Sequence, residues 1–505
     1  MNNSRLILVG GMLMLALIGS LFLGQAVATN DYTTLGLLFA SFAALIIIKS
    51  FGKNIWVMIP VFIGFGSSTQ LLPVPLSVAN IMTVFSIGAI VIQVAVGKQT
   101  FHWKWRAMEL FMLPCLVLMT VTYMLNPVGL SVLGSSTVGS RPYLEIALAG
   151  MAYIIMSSIQ VNLKTVLALP VISLVLAAFL FIGGAIAYHL PDIGIYLNVL
   201  YGGFMPHYDT SVQSGYQMAK RHSYLGAISD VLQRFTILKK DAWLPRPNKA
   251  GLTIVIMLIT LIGGMLTGHR IAVVTWVAYL GIYALLCRNI RGLLLMGVVG
   301  VISIIGIYGV HHTVLEMPLS IQRSMSFIPG DWDSDVIQDA EGSLDWRFEM
   351  WEVALFEEGV IENKVFGDGF GFSARELDLA QAMSSEDGRV KMSPEDMQEY
   401  FLVSGDLHSG PITAVRFVGW AGLFFFTLLS IYLARCYWKL CRRVYNTPLW
   451  MPVVFMGIPW IFFPFKYIVL YGDYAHNVPP FIVAAGLYNL LHKFVVQYEL
   501  QHVND

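Results

Sequence analysis

Long apolar runs recur along this chain, and they constrain its fold more than any other feature. A helix needs about 20 mainly apolar residues to cross a bilayer, and most of the runs approach that length. Hydrophobic residues make up 56% of the 505 residues and charged residues only 12%, unlike a soluble domain. We therefore expect an all-α polytopic membrane protein with about 12–14 transmembrane helices. The runs lie at 6–28, 34–48, 54–66, 79–97, 108–125, 145–163, 166–189, 251–268, 271–287, 292–310, 411–434, 448–464 and 477–492.

Lysine and arginine collect in alternate connectors between these runs. Because cytoplasmic loops of membrane proteins are enriched in Lys and Arg, these connectors are expected inside and the others outside. The first seven runs then leave the chain outside at His189, although the basic residues just before 251–268 indicate the cytoplasm. One crossing is therefore missing between these two points. The basic clusters are Lys49 and Lys53; Lys98, Lys104 and Arg106; Lys164; Lys239, Lys240, Arg246 and Lys249; Arg288 and Arg291; Arg435 to Arg443; and Lys493.

The segment 224–238 is the candidate for the missing crossing. Asp230 and Arg234 stand four residues apart in it, so both lie on one face of a helix and can pair away from lipid. A crossing here brings the total to about 14 spans and leaves both termini inside. An amphipathic helix on the membrane surface is the alternative interpretation.

A long acidic segment separates the runs ending at residue 310 from those beginning at 411. It carries 21 acidic residues between Glu316 and Asp406 but only six basic ones, a composition typical of an exported loop. Loops this long usually form functional subdomains. The aromatic spacing predicts a helix over Trp346–Leu355, and the glycines at 367–371 predict a turn. We therefore divide the chain into membrane helices with a polar segment at 190–250 (1–250), core membrane helices (251–310), a loop subdomain (311–410), and membrane helices with a cytoplasmic tail (411–505).

Two arginines and one histidine lie where chemistry at the outer membrane edge would need them. Arg270 ends the tight turn Thr267-Gly268-His269-Arg270, Arg347 lies in the acidic loop, and His408 immediately precedes the run at 411–434. The arginine fork suits phosphate oxygens, and histidine side chains exchange protons near pH ~6.5. Each residue also has a structural explanation. Arg270 and His408 can be interfacial residues, and Arg347 can pair with a neighbouring carboxylate.

Four motifs in a fixed order resemble the O-antigen ligase/polymerase superfamily of bacterial membrane glycan transferases. They are T-G-H-R at 267–270, S-x-x-x-R-x-x-x-W-x-x-A-L from Ser343 to Leu355, F-G-D-G-F-G at 366–371, and H-S-G followed by G-W-A-G between His408 and Gly422. The family often has serine where this chain has His269 and asparagine where it has Ser409. The resemblance implies a GT-C-like bundle in the bacterial inner membrane, with residues 311–410 as a large periplasmic loop.

The resemblance also implies an activity and roles for individual residues. Members use an undecaprenyl-pyrophosphate-linked glycan as donor, and their acceptor is a glycan or lipid A-core. Arg270 and Arg347 match the family's pyrophosphate-binding arginines, Arg221 is the candidate for a further one, and His408 matches the histidine thought to activate the acceptor hydroxyl. The reaction inverts the anomeric carbon and implies no metal and no cofactor. Membrane lipids and a chain-length regulator are the other expected partners. Polymerase is slightly preferred to ligase.

Other classes of function remain as alternatives. A secondary transporter or flippase of a sugar or lipid-linked glycan would need ionisable residues at midplane depth, and only Asp230 with Arg234 is suspected there. A non-catalytic scaffold would leave the motif order unexplained. The equal numbers of basic and acidic residues, 31 each, argue against nucleic-acid binding. A calcium site at Asp331, Asp333, Asp335 and Asp339 lacks the glycine and terminal glutamate of an EF-hand.

Overall fold

The computed structural model describes residues 46–69, 76–127, 139–204, 221–238, 247–289, 316–357, 359–371 and 407–502, with a few short stretches between them. The structure is about 77% helical, and no strand is present in these ranges. In chain order the helices are α1 (Met58–Phe62), α2 (Val78–Ala95), α3 (Ala107–Leu125), α4 (Ser140–Ser158), α5 (Leu163–His189), α6 (Pro191–Leu200), α7 (Leu225–Ile237), α8 (Pro247–Leu266), α9 (Arg270–Leu286), α10 (Leu319–Met325), α11 (Ser334–Phe356), α12 (Gly410–Arg443), α13 (Trp450–Phe465) and α14 (Tyr474–His502).

Six of the described helical segments are long and apolar enough to cross a membrane. They are α2, α3, α5, α12, α14, and α13 extended by the π-helical turn Lys466–Leu470. α8 and α9 add shorter apolar helices. The chain is therefore an all-α, multi-pass membrane protein. The predicted runs at 6–28, 34–48 and 292–310 lie wholly or mostly outside the described residues.

Two predicted runs differ from the helices that form. The run at 54–66 becomes a 3-10 segment, Gly52–Val57, followed by the short α1, whose chain turns after Phe62. The run at 145–163 becomes α4, which begins earlier, at Ser140. This earlier start adds one charged residue, Arg141, which is accommodated because its Nε pairs with Glu145 Oε1 at 3.1 Å inside the bundle.

The C-terminal helices form the centre of the packing. α14 lies along α4, while α12 packs between α13 and α3, and α13 also contacts α5 and α9. A buried polar network ties α3, α4 and α14 together. Tyr153 Oη donates to Glu109 Oε1 at 2.8 Å and accepts from Asn489 Nδ2 at 2.8 Å. These bonds satisfy polar groups that would otherwise be stranded away from water.

The helix predicted at 224–238 forms as α7, and it lies inside the bundle against α5, α8 and α9. The predicted ion pair is confirmed, with Arg234 Nη2 at 2.5 Å from Asp230 Oδ2. Arg234 also donates through Nη1 to the carbonyl oxygen of Phe455 in α13 at 3.0 Å. Gln233 Nε2 donates to the carbonyl oxygen of Trp276 in α9 at 2.7 Å. These contacts favour an interior helix over an amphipathic surface helix.

The chain direction brings the predicted site residues toward one end of the bundle. α8 and α13 end at this end of the bundle, and α9, α12 and α14 begin there. The contacts between α9 and α13 show that these two helices run antiparallel. Tyr279 lies beside Phe462 and Tyr283 beside Trp450, with ring centroids 6.1 Å apart in each pair. We call this end, which includes the turn before α9 and the segment before α12, the His408 end.

Candidate functional site

The turn between α8 and α9 is held rigidly by its own hydrogen bonds and by α10. Thr267 Oγ1 donates to the carbonyl oxygen of Gly264 at 2.6 Å, and Gly268 adopts a φ of +70°. That conformation favours glycine, and a Cβ there would also lie 3.1 Å from Arg221 Cγ. From α10, Arg323 Nη1 donates to the carbonyl oxygen of Gly268 at 2.7 Å. The turn therefore presents His269 and Arg270 in a fixed place.

Three arginines from separate segments lie close enough to this turn to affect the charge of His269. Arg221, Arg323 and Arg347 all lie within electrostatic range of His269, and Arg270 follows it directly as the first residue of α9. Desolvation, and then the positive charges of Arg221, Arg323 and Arg347, lower the pKa of His269 from its usual value. The structure thus brings Arg221 and Arg347, predicted from distant parts of the sequence, to the turn that holds Arg270. We call Arg221, Arg270, Arg323 and Arg347 the arginine cluster.

Helix α11 connects this cluster to His408. Its Trp346 ring centroid lies 6.3 Å from that of His408, and the next residue along the helix is Arg347. Trp351, one turn further on, donates from Nε1 to the carbonyl oxygen of Leu407 at 2.6 Å. Met350, Ala354 and Leu407 form a small buried core between α11 and this segment. One helix therefore contacts both parts of the predicted site.

His408 itself is held in an uncommon backbone conformation. Its φ is +52°, in the left-handed region that residues with a Cβ rarely adopt. Aromatic rings surround the imidazole, with centroids at 5.0 Å for Phe401 and 5.9 Å for Tyr471. Strain of this kind costs about 1–3 kcal/mol and persists only where surrounding contacts impose it. The partly exposed ring is consequently held in one place at the start of α12.

A break in α12 supports this part of the bundle. Gly419 has φ +66° and ψ −177°, and a Cβ there would lie 2.1 Å from the carbonyl oxygen of Val365. The loop at 364–369 fills the break. Trp420 N donates to the carbonyl oxygen of Lys364 at 2.9 Å, and Gly369 N donates to that of Phe417 at 3.0 Å. Loop backbone therefore occupies the position that a side chain at residue 419 would need.

A buried ion pair fixes the same loop. Arg416 Nη1 lies 2.6 Å from Asp368 Oδ2, and the two side chains are 7% and 12% exposed. Asp368 also accepts hydrogen bonds from the backbone amides of Glu362 at 3.1 Å and Asn363 at 2.8 Å. The F-G-D-G-F-G motif thus forms the predicted turn, and its aspartate anchors that turn to α12.

Sequence reasoning missed the positions of two arginines. In the sequence, Arg323 is one of six basic residues in an acidic loop, and no role was predicted for it. Arg416 lies early in the run at 411–434, and no role was predicted for it either. A signal for Arg323 was present, because it is one of only six basic residues in a strongly acidic segment. No local pattern predicted that Arg416 would pair with Asp368.

No protein-family model and no curated protein matches this chain. The resemblance to the O-antigen ligase/polymerase superfamily therefore depends on the motifs and on their arrangement in the fold.

Proposed function

We propose that this protein transfers a glycan from undecaprenyl pyrophosphate to a hydroxyl acceptor at the periplasmic face of a bacterial inner membrane. It would act as an O-antigen or exopolysaccharide repeat-unit polymerase, or as an O-antigen ligase, within a GT-C-like bundle. One observation carries the proposal. Arg221 and Arg323 lie against the turn that precedes Arg270, Arg347 is within electrostatic range of His269 in that turn, and the helix that contributes Arg347 also contacts His408.

The arginine cluster suits a leaving pyrophosphate. As the bond from the anomeric carbon to the lipid pyrophosphate breaks, its electron pair moves to a phosphate oxygen, and Arg270 and Arg347 neutralise the developing charge. Fixed donors in such sites are worth about 3–4 kcal/mol each. Arg323 would act as a positioning residue, since its guanidinium already holds the Gly268 carbonyl. Because the arginines supply the positive charge, the proposed reaction is metal-independent.

His408 would accept the proton from the acceptor hydroxyl. The freed oxygen attacks the anomeric carbon from the face opposite the pyrophosphate, which inverts the configuration there. General-base catalysis typically contributes about 10²–10⁴ in rate, so loss of His408 should reduce turnover strongly without abolishing it. The contacts of its ring with Trp346 and Tyr471 keep the base in place between cycles.

The test uses purified protein with undecaprenyl-pyrophosphate-linked glycan. Wild type is compared with Arg270→Ala, Arg347→Ala, Arg221→Ala and His408→Ala. The matched controls are Arg443→Ala and His492→Ala, which lie toward the opposite end of the bundle; Arg443 there pairs with Glu499. The proposal expects large losses in the first group and small effects in the controls.

The acceptor requirement separates the two activities. Lengthening of the lipid-linked glycan without added acceptor would indicate the preferred polymerase, and transfer only with lipid A-core would indicate a ligase. If all four site variants transfer glycan like wild type, the assignment of the site is wrong.

Transport of a sugar or lipid-linked glycan is a second candidate, favoured by one specific observation. A cavity of about 280 Å³ lies in the bundle between α5, α7, α9, α13 and α14, and the Asp230–Arg234 pair lines it. Ionisable residues at such depth often mark a transport pathway. Proteoliposomes that move labelled lipid-linked glycan, and lose this activity in Asp230→Asn, would favour transport over transfer.

A further inference from the structure

A second cavity lies at the His408 end, bordered by α1, α2, α4 and α14. Its volume is about 80 Å³, and its polar lining includes Asn80, Arg141, Glu145 and His476. None of these residues belongs to the arginine cluster. By liquid volume the space corresponds to roughly two to three water molecules, so it admits a few hydroxyl groups rather than a whole sugar ring.

The charges on one wall of this cavity are already balanced. Glu145 Oε1 accepts from Arg141 Nε at 3.1 Å and from Asn80 Nδ2 at 2.7 Å. Arg141 is 5% exposed and Asn80 is 8% exposed, so the hydrogen-bonded group is built into the fold. Since the guanidinium is paired with a carboxylate, this wall does not favour a phosphate. A neutral ligand with hydroxyl groups fits it better.

His476 is the polar residue of α14 that lines the cavity, and Asp473, which is not part of the lining, contacts its ring. Asp473 Oδ1 accepts from the backbone amide of His476 at 2.8 Å and lies 3.0 Å from His476 Nδ1. If Nδ1 carries the proton that Asp473 accepts, Nε2 of the neutral ring is an acceptor. Asp473 is only 3% exposed, and among the described residues its Oδ2 has no hydrogen-bond partner.

Two prolines of α14 border the same cavity. Pro479 and Pro480 line it, and both lie inside α14. Because proline has no amide hydrogen, the helical hydrogen bonds that residues 479 and 480 would donate are absent beside the cavity.

We propose that this cavity binds hydroxyl groups of a neutral saccharide, with Glu145 as acceptor and Arg141 and Asn80 as donors. The Asp473-oriented imidazole of His476 borders the bound sugar. The segment Tyr471–Tyr474 connects this cavity to His408, since the Tyr471 ring lies 5.9 Å from that of His408. The saccharide would be the acceptor glycan, an assignment that rests on the proposed transferase function. Saccharide binding itself does not rest on it.

Chemical footprinting tests the binding directly. Diethyl pyrocarbonate modifies neutral imidazoles, and mass spectrometry measures the rate at His269, His476 and His492 in purified wild-type protein. Methyl α-D-glucopyranoside and methyl α-D-galactopyranoside are expected to slow modification of His476 alone. Inorganic pyrophosphate is expected to slow modification of His269 alone. His492 serves as the control on α14.

Kinetics provide a second, independent readout. Glu145→Gln keeps the acceptor oxygen but loses the charge opposite Arg141, and Asp473→Asn keeps a good helix cap but not the carboxylate. Each is expected to raise the acceptor KM about 3–10-fold, the range for one hydrogen bond, with a smaller change in kcat. Glu499→Gln is the matched control. A merely structural role would instead lower the unfolding midpoint without a selective effect on KM.

The outcomes distinguish this inference from the proposed function. Unchanged His476 modification with either glycoside, together with an unchanged acceptor KM in Glu145→Gln, would overturn the saccharide site even if transfer is observed. Protection of His476 in a protein that transfers no glycan would support the site and refute the transferase.

Discussion

The ion pair between Asp368 and Arg416 should contribute strongly to stability, and a double-mutant cycle can measure how much. Both side chains are nearly buried, and Asp368 also accepts two backbone amide hydrogen bonds. Removal of one partner from a buried pair typically costs about 3–5 kcal/mol. Asp368→Ala should therefore lower the free energy of unfolding by about 3–5 kcal/mol. Asp368→Asn should lower it by roughly 1.5–3 kcal/mol, because an amide oxygen still accepts a backbone hydrogen bond.

The chain supplies its own probes for this measurement. Cys115, Cys287, Cys436 and Cys441 are free thiols, and Cys441 is fully buried. A thiol-reactive dye can therefore follow equilibrium unfolding in detergent micelles that contain increasing proportions of SDS. Ser409→Ala, near α12 but outside the ion pair, is the control.

The cycle adds Arg416→Gln and the double variant Asp368→Asn/Arg416→Gln. Because the two residues contact each other, the double variant should lose at least about 1 kcal/mol less than the sum of the single losses. If the single losses add to within about 0.5 kcal/mol, the two side chains do not interact energetically. The account of how the loop is anchored to α12 would then be refuted.

Three further predictions concern the same end of the bundle. Gly419→Ala should destabilise the protein by at least about 1–2 kcal/mol from backbone strain alone, with more from the clash with Val365, and the SDS titration measures this. Trp351→Phe removes the hydrogen bond to Leu407 and should cost about 0.5–1.5 kcal/mol in the same titration, with a reduced transfer rate if His408 shifts. The pKa of His269 is lowered in the folded state, so the unfolded state binds its proton more tightly. Stability should therefore fall as pH drops below about 6.5, and His269→Gln should remove that part of the dependence; an unchanged pH profile would contradict the lowered pKa.

Local sequence patterns predicted most of the individual helices. The runs at 79–97, 108–125, 166–189 and 271–287 form helices with nearly the predicted bounds, because a sufficiently long apolar run stabilises a helix in a membrane regardless of its neighbours. Where a helix differs from its predicted run, the difference depends on contacts between side chains that the apolar pattern does not show. Arg141 precedes the predicted run at 145–163, and only its contact with Glu145 makes the pair compatible with the interior of the bundle.

The sequence by itself determined that this is a helical membrane protein, that Asp230 and Arg234 share one helix face, and that an arginine directly follows the turn between two apolar helices. Each of these follows from residue type and from separations of a few residues. Only the tertiary structure brought Arg221, Arg323 and Arg347 to that turn, seated the loop at 364–369 in the break of α12, and placed Asp473 and His476 near a polar cavity. The physical reason is that such contacts join residues far apart in the chain, and helix packing rather than local pattern decides which of them meet.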